Sequence, residues 1–447
     1  MLARPSITDR ARGWLVQWGP MLPLLIAEAT IWVGFGALLP ILPIYFTEHG
    51  VDLPMLGVVV AAWPAARLVG EPVFGRIADT APRRTMMVIG LFAAAVFAVA
   101  PLFVVGPLMF VVSRIFAGLS ASIYDPAARG YLVDANPPER QGETFGLYGA
   151  AQMGGLMLGP AIGGIAAAIT SNPTIPFWVA GGCAFLSGIL VWARVREVPR
   201  HAKAEGDAGA AADRASAART SADELPVHRP TRLFNRLLIA AIVINVGTFF
   251  AGGTYEVVWS LYMTSLGAGL DLIGLSFFTF ALPILVLSPV MGRFIDHEGG
   301  FIALVLGIAV IAVCGGAYVI VQNPWWLVVL GLVEGAAFAV ASPALYLLVS
   351  RSSPPGRSST AQGVFGAAGT IGTVAASLSA GVLAAVDLRL PFLATAIGGS
   401  TMLVLGLLIG RRRLYDAMQP THLAPAPAVS GAAAQTAPAF DGSGDRR

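Results

Sequence analysis

The sequence is short of charge and nearly without lysine. Asp, Glu, Lys and Arg make up 12% of its 447 residues, about half of what a soluble domain carries. The single lysine, Lys203, lies in a polar stretch, so no Gly-rich loop ending in Lys-Ser/Thr is present and ATP-driven chemistry is excluded. There are two cysteines, Cys183 and Cys314, both inside apolar runs. They cannot build a disulfide framework. The five histidines, at 49, 201, 228, 297 and 422, are scattered. No zinc spacing or catalytic triad is legible, and the sequence predicts no enzyme and no cofactor. The net charge of +3 gives no basic patch for nucleic acid.

What the chain has instead is apolar length. It is 56% hydrophobic with a mean hydropathy of +0.74, in runs near the roughly 20 residues that span a bilayer. Twelve apolar helices are predicted, at 20–46, 54–76, 83–105, 107–129, 142–170, 174–195, 236–264, 271–293, 300–321, 325–349, 358–386 and 389–411. The 52 glycines suit helices that pack backbone to backbone in lipid. Residues 197–235 read as a polar, mobile linker and the Ala/Pro-rich segment 414–447 as a disordered tail. The basic N-terminus leads into a full-length span and lacks the short apolar core of a secretory signal. Of 28 Lys and Arg, all but Arg67, Arg114 and Arg389 fall at one side of the predicted membrane. By the positive-inside rule that side, with both termini, is the cytoplasm.

One short segment occurs twice. "EPVFGRIAD" (71–79) returns as "SPVMGRFID" (288–296), with Pro72/Pro289, Val73/Val290, Gly75/Gly292, Arg76/Arg293 and Asp79/Asp296 identical. The same offset of 217 overlays Tyr45, Gly50 and Gly57 on Tyr262, Gly267 and Gly274, and Gly118 and Pro126 on Gly335 and Pro343. An offset containing six crossings means two parallel six-helix halves. The fold expected is an all-α membrane protein, twelve transmembrane helices in two pseudo-symmetric bundles (1–196 and 236–413). Its substrate site would lie between them near mid-membrane.

Several intramembrane charges need a reason, because each costs a few kcal/mol unless paired or hydrated. Arg67 and Glu71, at i and i+4, can pair on one helix face. Glu28, Glu256 and Glu334 have no partner in their own helix. A carboxylate withdrawn from water can hold a proton near neutral pH, so these three are candidates for proton coupling. Trp32, Tyr148, Tyr255 and Trp259 are interleaved with them and are candidate cavity residues for an apolar or cationic substrate.

Over essentially all twelve helices the sequence resembles the major facilitator superfamily. Gly75-Arg76-Ile77-Ala78-Asp79 with Arg83 and Arg84 resembles the loop between the family's second and third helices. There it acts as a cytoplasmic latch stabilising the outward-open state. The resemblance implies the same role for Gly75, Asp79, Arg83 and Arg84, with Asp125 a partner for Arg83 or Arg84, and a weaker copy at Gly292 and Asp296. The family usually has a basic residue at Thr80 and Gly at Pro82. The second copy has His297 and Gly299 there but lacks the Arg pair. Arg114 in "SRIFAGLSA" resembles the family's intramembrane Arg on helix four, expected to face the cavity and to join Glu28, Glu256 and Glu334 as a candidate for proton coupling. "GLMLGPAIGG" fits the antiporter pattern G-x-x-x-G-P-x-x-G-G at Gly155, Gly159, Pro160, Gly163 and Gly164. The resemblance thus implies a monomeric, proton-coupled drug exporter of the cell membrane, its partners a small molecule, a proton and the lipid bilayer. The alternative is a proton symporter importing a sugar, organic acid or amino acid.

Overall fold

A computed structural model describes residues 18–19, 21–136, 141–198, 232–354 and 357–419. Most of the predicted linker and tail lie outside the described residues. Among those described, helix is the only regular structure. The N-terminal half carries α1 (Leu22–Leu38), α2 (Leu42–Glu48), α3 (Leu53–Ala78), α4 (Arg83–Val99), α5 (Pro107–Ala135), α6 (Gln141–Thr170) and α7 (Ile175–Arg194). The C-terminal half carries α8 (Arg236–Ser265), α9 (Leu270–Glu298), α10 (Phe301–Ile320), α11 (Pro324–Ser352), α12 (Ser358–Ala384) and α13 (Leu390–Ala417). Eleven of these are long and apolar enough to cross a membrane, and the pair α1 and α2, bent by 43°, makes a twelfth span. The bend falls where one straight helix was expected. Pro40 has no N–H to give and Pro43 opens the next helix, so the ladder breaks between them.

Helix ends follow the local chemistry. Asp52 and Asn323 accept hydrogen bonds from the N–H groups of Met55 and Trp325, each at 2.9 Å, at the starts of α3 and α11. Gly50 and Gly267, 217 apart, close the turns after α2 and α8 with φ of +82° and +83°, where a Cβ would be strained. The two copies of the 71–79 motif leave their helices differently. Gly299 takes φ +89°, whereas Pro82, fixed near −60°, takes −56° and sends the chain directly into α4.

The offset of 217 is physical. The Tyr45 hydroxyl donates to the carbonyl of Pro101, and that of Tyr262 to Tyr318, the same pair one repeat later. Added Cβ atoms at Gly118 and Gly335 would strike the carbonyls of Trp63 and Phe280, again 217 apart. Those at Gly155 and Gly372 would strike Ala29 and Val246.

The two bundles meet through α3 against α12 and α6 against α9. Both contacts lie at the end away from the basic residues. A Cβ at Gly57 would meet the backbone of Ser377 and Gly381, and one at Gly274 the backbone of Pro160 and Gly164. One apolar core at that end combines Leu56, Val59 and Phe177 with Val257, Tyr262 and Phe392. At the basic end there are two separate cores, one per bundle. The molecule is therefore closed at one end and split at the other. Large apolar side chains such as Ile169, Trp192, Val313 and Trp326 face outward, as a lipid-facing surface requires.

Candidate functional site

The split encloses a cavity of about 1310 Å³ between the bundles. Trp32, Phe35 and Trp63 form its wall in the first half, and Tyr255, Trp259 and Phe280 in the second. Toward the basic end the lining becomes polar, with Glu71, Arg129 and Gln362.

Glu334 on α11 sits in that wall, 3% exposed. The Tyr255 hydroxyl donates to its Oε1 at 2.8 Å and the Tyr318 hydroxyl to its Oε2 at 2.7 Å. Trp259 stacks edge-on to Tyr318 at 5.0 Å and donates its indole N–H to Ser276 at 2.8 Å. A carboxylate thus lies among aromatic faces, with two phenols as its hydrogen-bond partners. Tyr318 and Phe392 complete this cluster from α10 and α13; being spread over distant helices, they were not legible as part of a site.

Glu256 on α8 also lines the cavity, and its partner comes from the other bundle. Arg114 Nη2 on α5 lies 3.6 Å from Glu256 Oε1. That separation is an ion pair without a hydrogen bond. Arg114 Nε and Nη2 are buried and bond to no protein group among the described residues. The guanidinium lies 5.9 Å from the Trp63 ring centroid.

Glu28 on α1 is fully buried and does not line the large cavity. It accepts from Trp32 Nε1 at 2.9 Å, the Tyr124 hydroxyl at 2.6 Å and Gln152 Nε2 at 3.2 Å. Trp32 therefore stands between Glu28 and the cavity. Tyr148, expected in the cavity, belongs instead to the core of the first bundle at the basic end. Its neighbour Gly149 takes the cavity side of α6, because consecutive residues on a helix point about 100° apart. Trp32, Tyr255 and Trp259 do line the cavity.

The basic-end charges pair differently from expectation. Asp125 does not meet Arg83 or Arg84. It accepts from Arg67, which also donates Nε to Glu71 at 2.9 Å, and lies 3.9 Å from Arg129. Asp125 sits ten residues before the end of α5, roughly 15 Å up the helix from the Arg83 level. Asp134, on the last turn of α5, is close enough and pairs with Arg83, whose side chain crosses Gly130. Glu197 accepts the N–H groups of Arg83 at 2.8 Å and Arg84 at 3.0 Å, capping α4, while Arg84 donates to the carbonyl of Trp192. Asp79 is exposed and pairs with no base among the described residues. No described atom approaches within 4 Å of a Cβ added at Gly292, and Gly75 has ordinary room. The Asp296 side chain lies outside what the structure describes.

Gly155, Gly159 and Gly163 form one strip of α6 that packs on the backbone of α1 at Ala29, Val33, Gly36 and Ala37. Gly164 turns to the other bundle, against Leu270 and Gly274. The second half repeats this packing with Gly372, Ala376, Ala380 and Gly381 in place of glycines 155, 159, 163 and 164. Besides those two alanines Pro160 differs: Ser377 stands in its place, and its hydroxyl donates to the carbonyl of Thr373 at 3.0 Å. Pro160 offers no N–H to the carbonyl of Leu156, a cavity residue. Among the described residues no cluster of His, Cys, Asp or Glu is suited to a metal.

The family model described as Major Facilitator Superfamily matches residues 24–256 and 241–437. The quinolone resistance protein NorA of Staphylococcus aureus (strain Mu50) is 26% identical over 236 residues, 52% of this chain and 55% of that protein. The match thus spans about half the length of this relative. An uncharacterised MFS-type transporter of Methanocaldococcus jannaschii is 24% identical over 80% of this chain and 89% of its own. Among solved structures, a bacterial homologue of the human lysosomal transporter Spinster, inward-facing and occupied, superposes with TM-score 0.68 at 11% identity, covering 87% of this chain and 96% of that one. A D-xylose–proton symporter superposes with TM-score 0.67 at 16% identity, covering 90% and 98%.

Proposed function

The chain belongs to the major facilitator superfamily, and from that premise we propose that it exports a small apolar or cationic compound in exchange for protons, by alternating access. The observation that carries this reading is Glu334, a buried carboxylate in an aromatic wall of a cavity closed at one end. Aromatic faces and one carboxylate attract a lipophilic cation. The same carboxyl group can carry a proton instead. Substrate and proton then compete for Glu334, which is the requirement for exchange. The α6 pattern from Gly155 to Gly164 and the partial likeness to NorA favour export.

By the positive-inside rule the basic end faces the cytoplasm of a cell membrane, with both termini there, and the cavity opens inward. The carrier works as a monomer, since each bundle completes the other's cavity wall. Rotation of the two bundles would bring their separate basic-end cores together and part the shared core at the other end. Asp79 and Gly75 would then engage as the latch of the outward-open state.

The test is flux in inverted vesicles with an acidic lumen and a lipophilic cation dye added to the bath. Protons leaving the lumen as the cation enters support exchange. Movement of both in one direction would make the protein a symporter and overturn the reading.

A further inference from the structure

A second, smaller chamber of about 90 Å³ lies wholly within the first bundle. Trp32, Phe35, Trp63 and Arg67 are common to its wall and to that of the large cavity. Phe35 packs on Trp63 at 4.8 Å and on Trp32 at 5.3 Å, so an aromatic partition separates the two spaces. The chamber's remaining wall is mixed. Ala94, Ala117, Ala121 and Ala184 give it room, and Arg114, Ser120, Tyr124 and Asp125 give it polarity.

Two facts set its occupant. Arg114 has Nε and Nη2 buried without a hydrogen bond to protein, and a guanidinium does not shed its proton to escape that cost. Donors in a polar space need an acceptor, and water needs about 10–15 Å³ with two or more polar partners. The chamber has space and partners for a short chain of waters. Arg114 and Tyr124 are ten residues apart on α5, roughly 15 Å, so such a chain runs along the helix. Tyr124 ends it, and its hydroxyl donates to Glu28.

We propose that the chamber is a water-filled proton site, apart from the substrate cavity, in which water held by Arg114 exchanges protons with Glu28 through the Tyr124 hydroxyl. A proton arriving on the chain passes to the Tyr124 oxygen as the Tyr124 hydroxyl proton passes to Glu28 Oε2. The carboxylate becomes a carboxylic acid and the phenol is unchanged; release runs in reverse. The titratable and charged groups facing Glu28 are Tyr124 and Asp125 of α5 and Tyr148 of α6. Arg67 and Glu71 of α3 and Arg129 of α5 surround Asp125. From α7, Ser187 donates to the carbonyl of Ala27. Ion pairing with Glu256 keeps the Arg114 charge compensated from the cavity side. Because Trp32, Phe35, Trp63 and Arg67 are common to both walls, a substrate pressing on them in the large cavity acts on the chamber as well, so this proton is a second one beside the one that substrate displaces from Glu334.

That this proton drives export rests on the reading above; the water chamber itself does not, and two measurements separate them. Hydroxyl-radical footprinting by X-ray pulse labels side chains next to bound water. In the intact protein Tyr124, 3% exposed, is expected to be labelled, while Tyr45, equally buried in the shared core, stays unlabelled. Labelling no stronger than that of Tyr45 overturns the chamber. The second measurement is proton release into unbuffered solution when tetraphenylphosphonium binds. The Ala121→Leu variant, which fills the chamber, should bind the cation with Kd within about threefold of wild type and release only the share that comes from Glu334, about half the protons of wild type. Ile115→Phe, on the outward face of the same helix, should release as wild type. Full release by Ala121→Leu overturns the assignment of the proton. A wild type that binds no tetraphenylphosphonium refutes the exporter reading, and Tyr124 labelling still decides the chamber.

Discussion

Glu334 spends both its oxygens on phenols from other helices, Tyr255 and Tyr318. Glu334→Gln keeps the shape and removes the charge. Its affinity for tetraphenylphosphonium, measured by equilibrium dialysis, should fall at least about tenfold, or about 1.4 kcal/mol. Tyr318→Phe removes one hydrogen bond to a charged group and should cost less. Arg114 and Glu256 pose a different problem, because each neutralises a charge the other bundle buries. Glu256→Gln leaves Arg114 uncompensated and should destabilise the fold by about 3–5 kcal/mol. Thermal unfolding in detergent would show this, and the double variant Arg114→Met/Glu256→Met should recover much of the loss. The charged residues themselves were legible in the sequence, since any ionisable side chain in an apolar run needs an explanation. Their partners were not. Glu28 and Tyr124 are 96 positions apart, and only the rotation of each helix decides which side chains meet.

At the scale of elements, glycine does two jobs. Gly50 and Gly267 turn the chain, and Gly57, Gly164, Gly274 and Gly381 let the two bundles touch backbone to backbone. Gly57→Val and Gly164→Val would each wedge a side chain into that closed end. Overpacking costs about 1–3 kcal/mol, here charged against one state of the carrier. Both variants should expose the neighbouring Ser377 or Leu270 position, as an introduced cysteine, to a membrane-impermeant maleimide that wild type resists. The pattern ending in Gly163-Gly164 was legible, but its packing proved common to both halves. Pro160 distinguishes the first, together with Gly159 and Gly163, where the second half has alanines. Pro160→Ala should leave folding intact and slow coupled transport several-fold in the vesicle assay, because Leu156 regains its hydrogen bond and α6 stiffens.

At the scale of the whole molecule, the proposed alternating access takes the shared core at one end and the separate cores at the other as one of two positions of a rocking pair. Spin labels on Arg76 and Arg293, repeat partners exposed at the basic end, should draw closer when the carrier cycles. Labels on Glu48 and Ser265, repeat partners exposed at the other end, should separate over the same step. Distances that change in the same sense at both ends would contradict rocking. The proposed latch belongs to this scale too: Asp79 pairs with no base among the described residues while the basic end is open, so Asp79→Asn should leave cation binding unchanged and slow turnover.

The sequence by itself determined the twelve spans, the repeat at 217 and which charges lie within the membrane. Each is a property of composition or spacing along one dimension. The tertiary structure alone decided that Asp125 takes Arg67 and leaves Arg83 to Asp134, and that Glu28 is walled off from the cavity that Glu334 faces. It also decided that Arg114 reaches across to Glu256. The reason is geometric. A helix turns each side chain by 100° and raises it by 1.5 Å, so a partner on another helix is set by relative rotation and height, which spacing along a single chain does not contain.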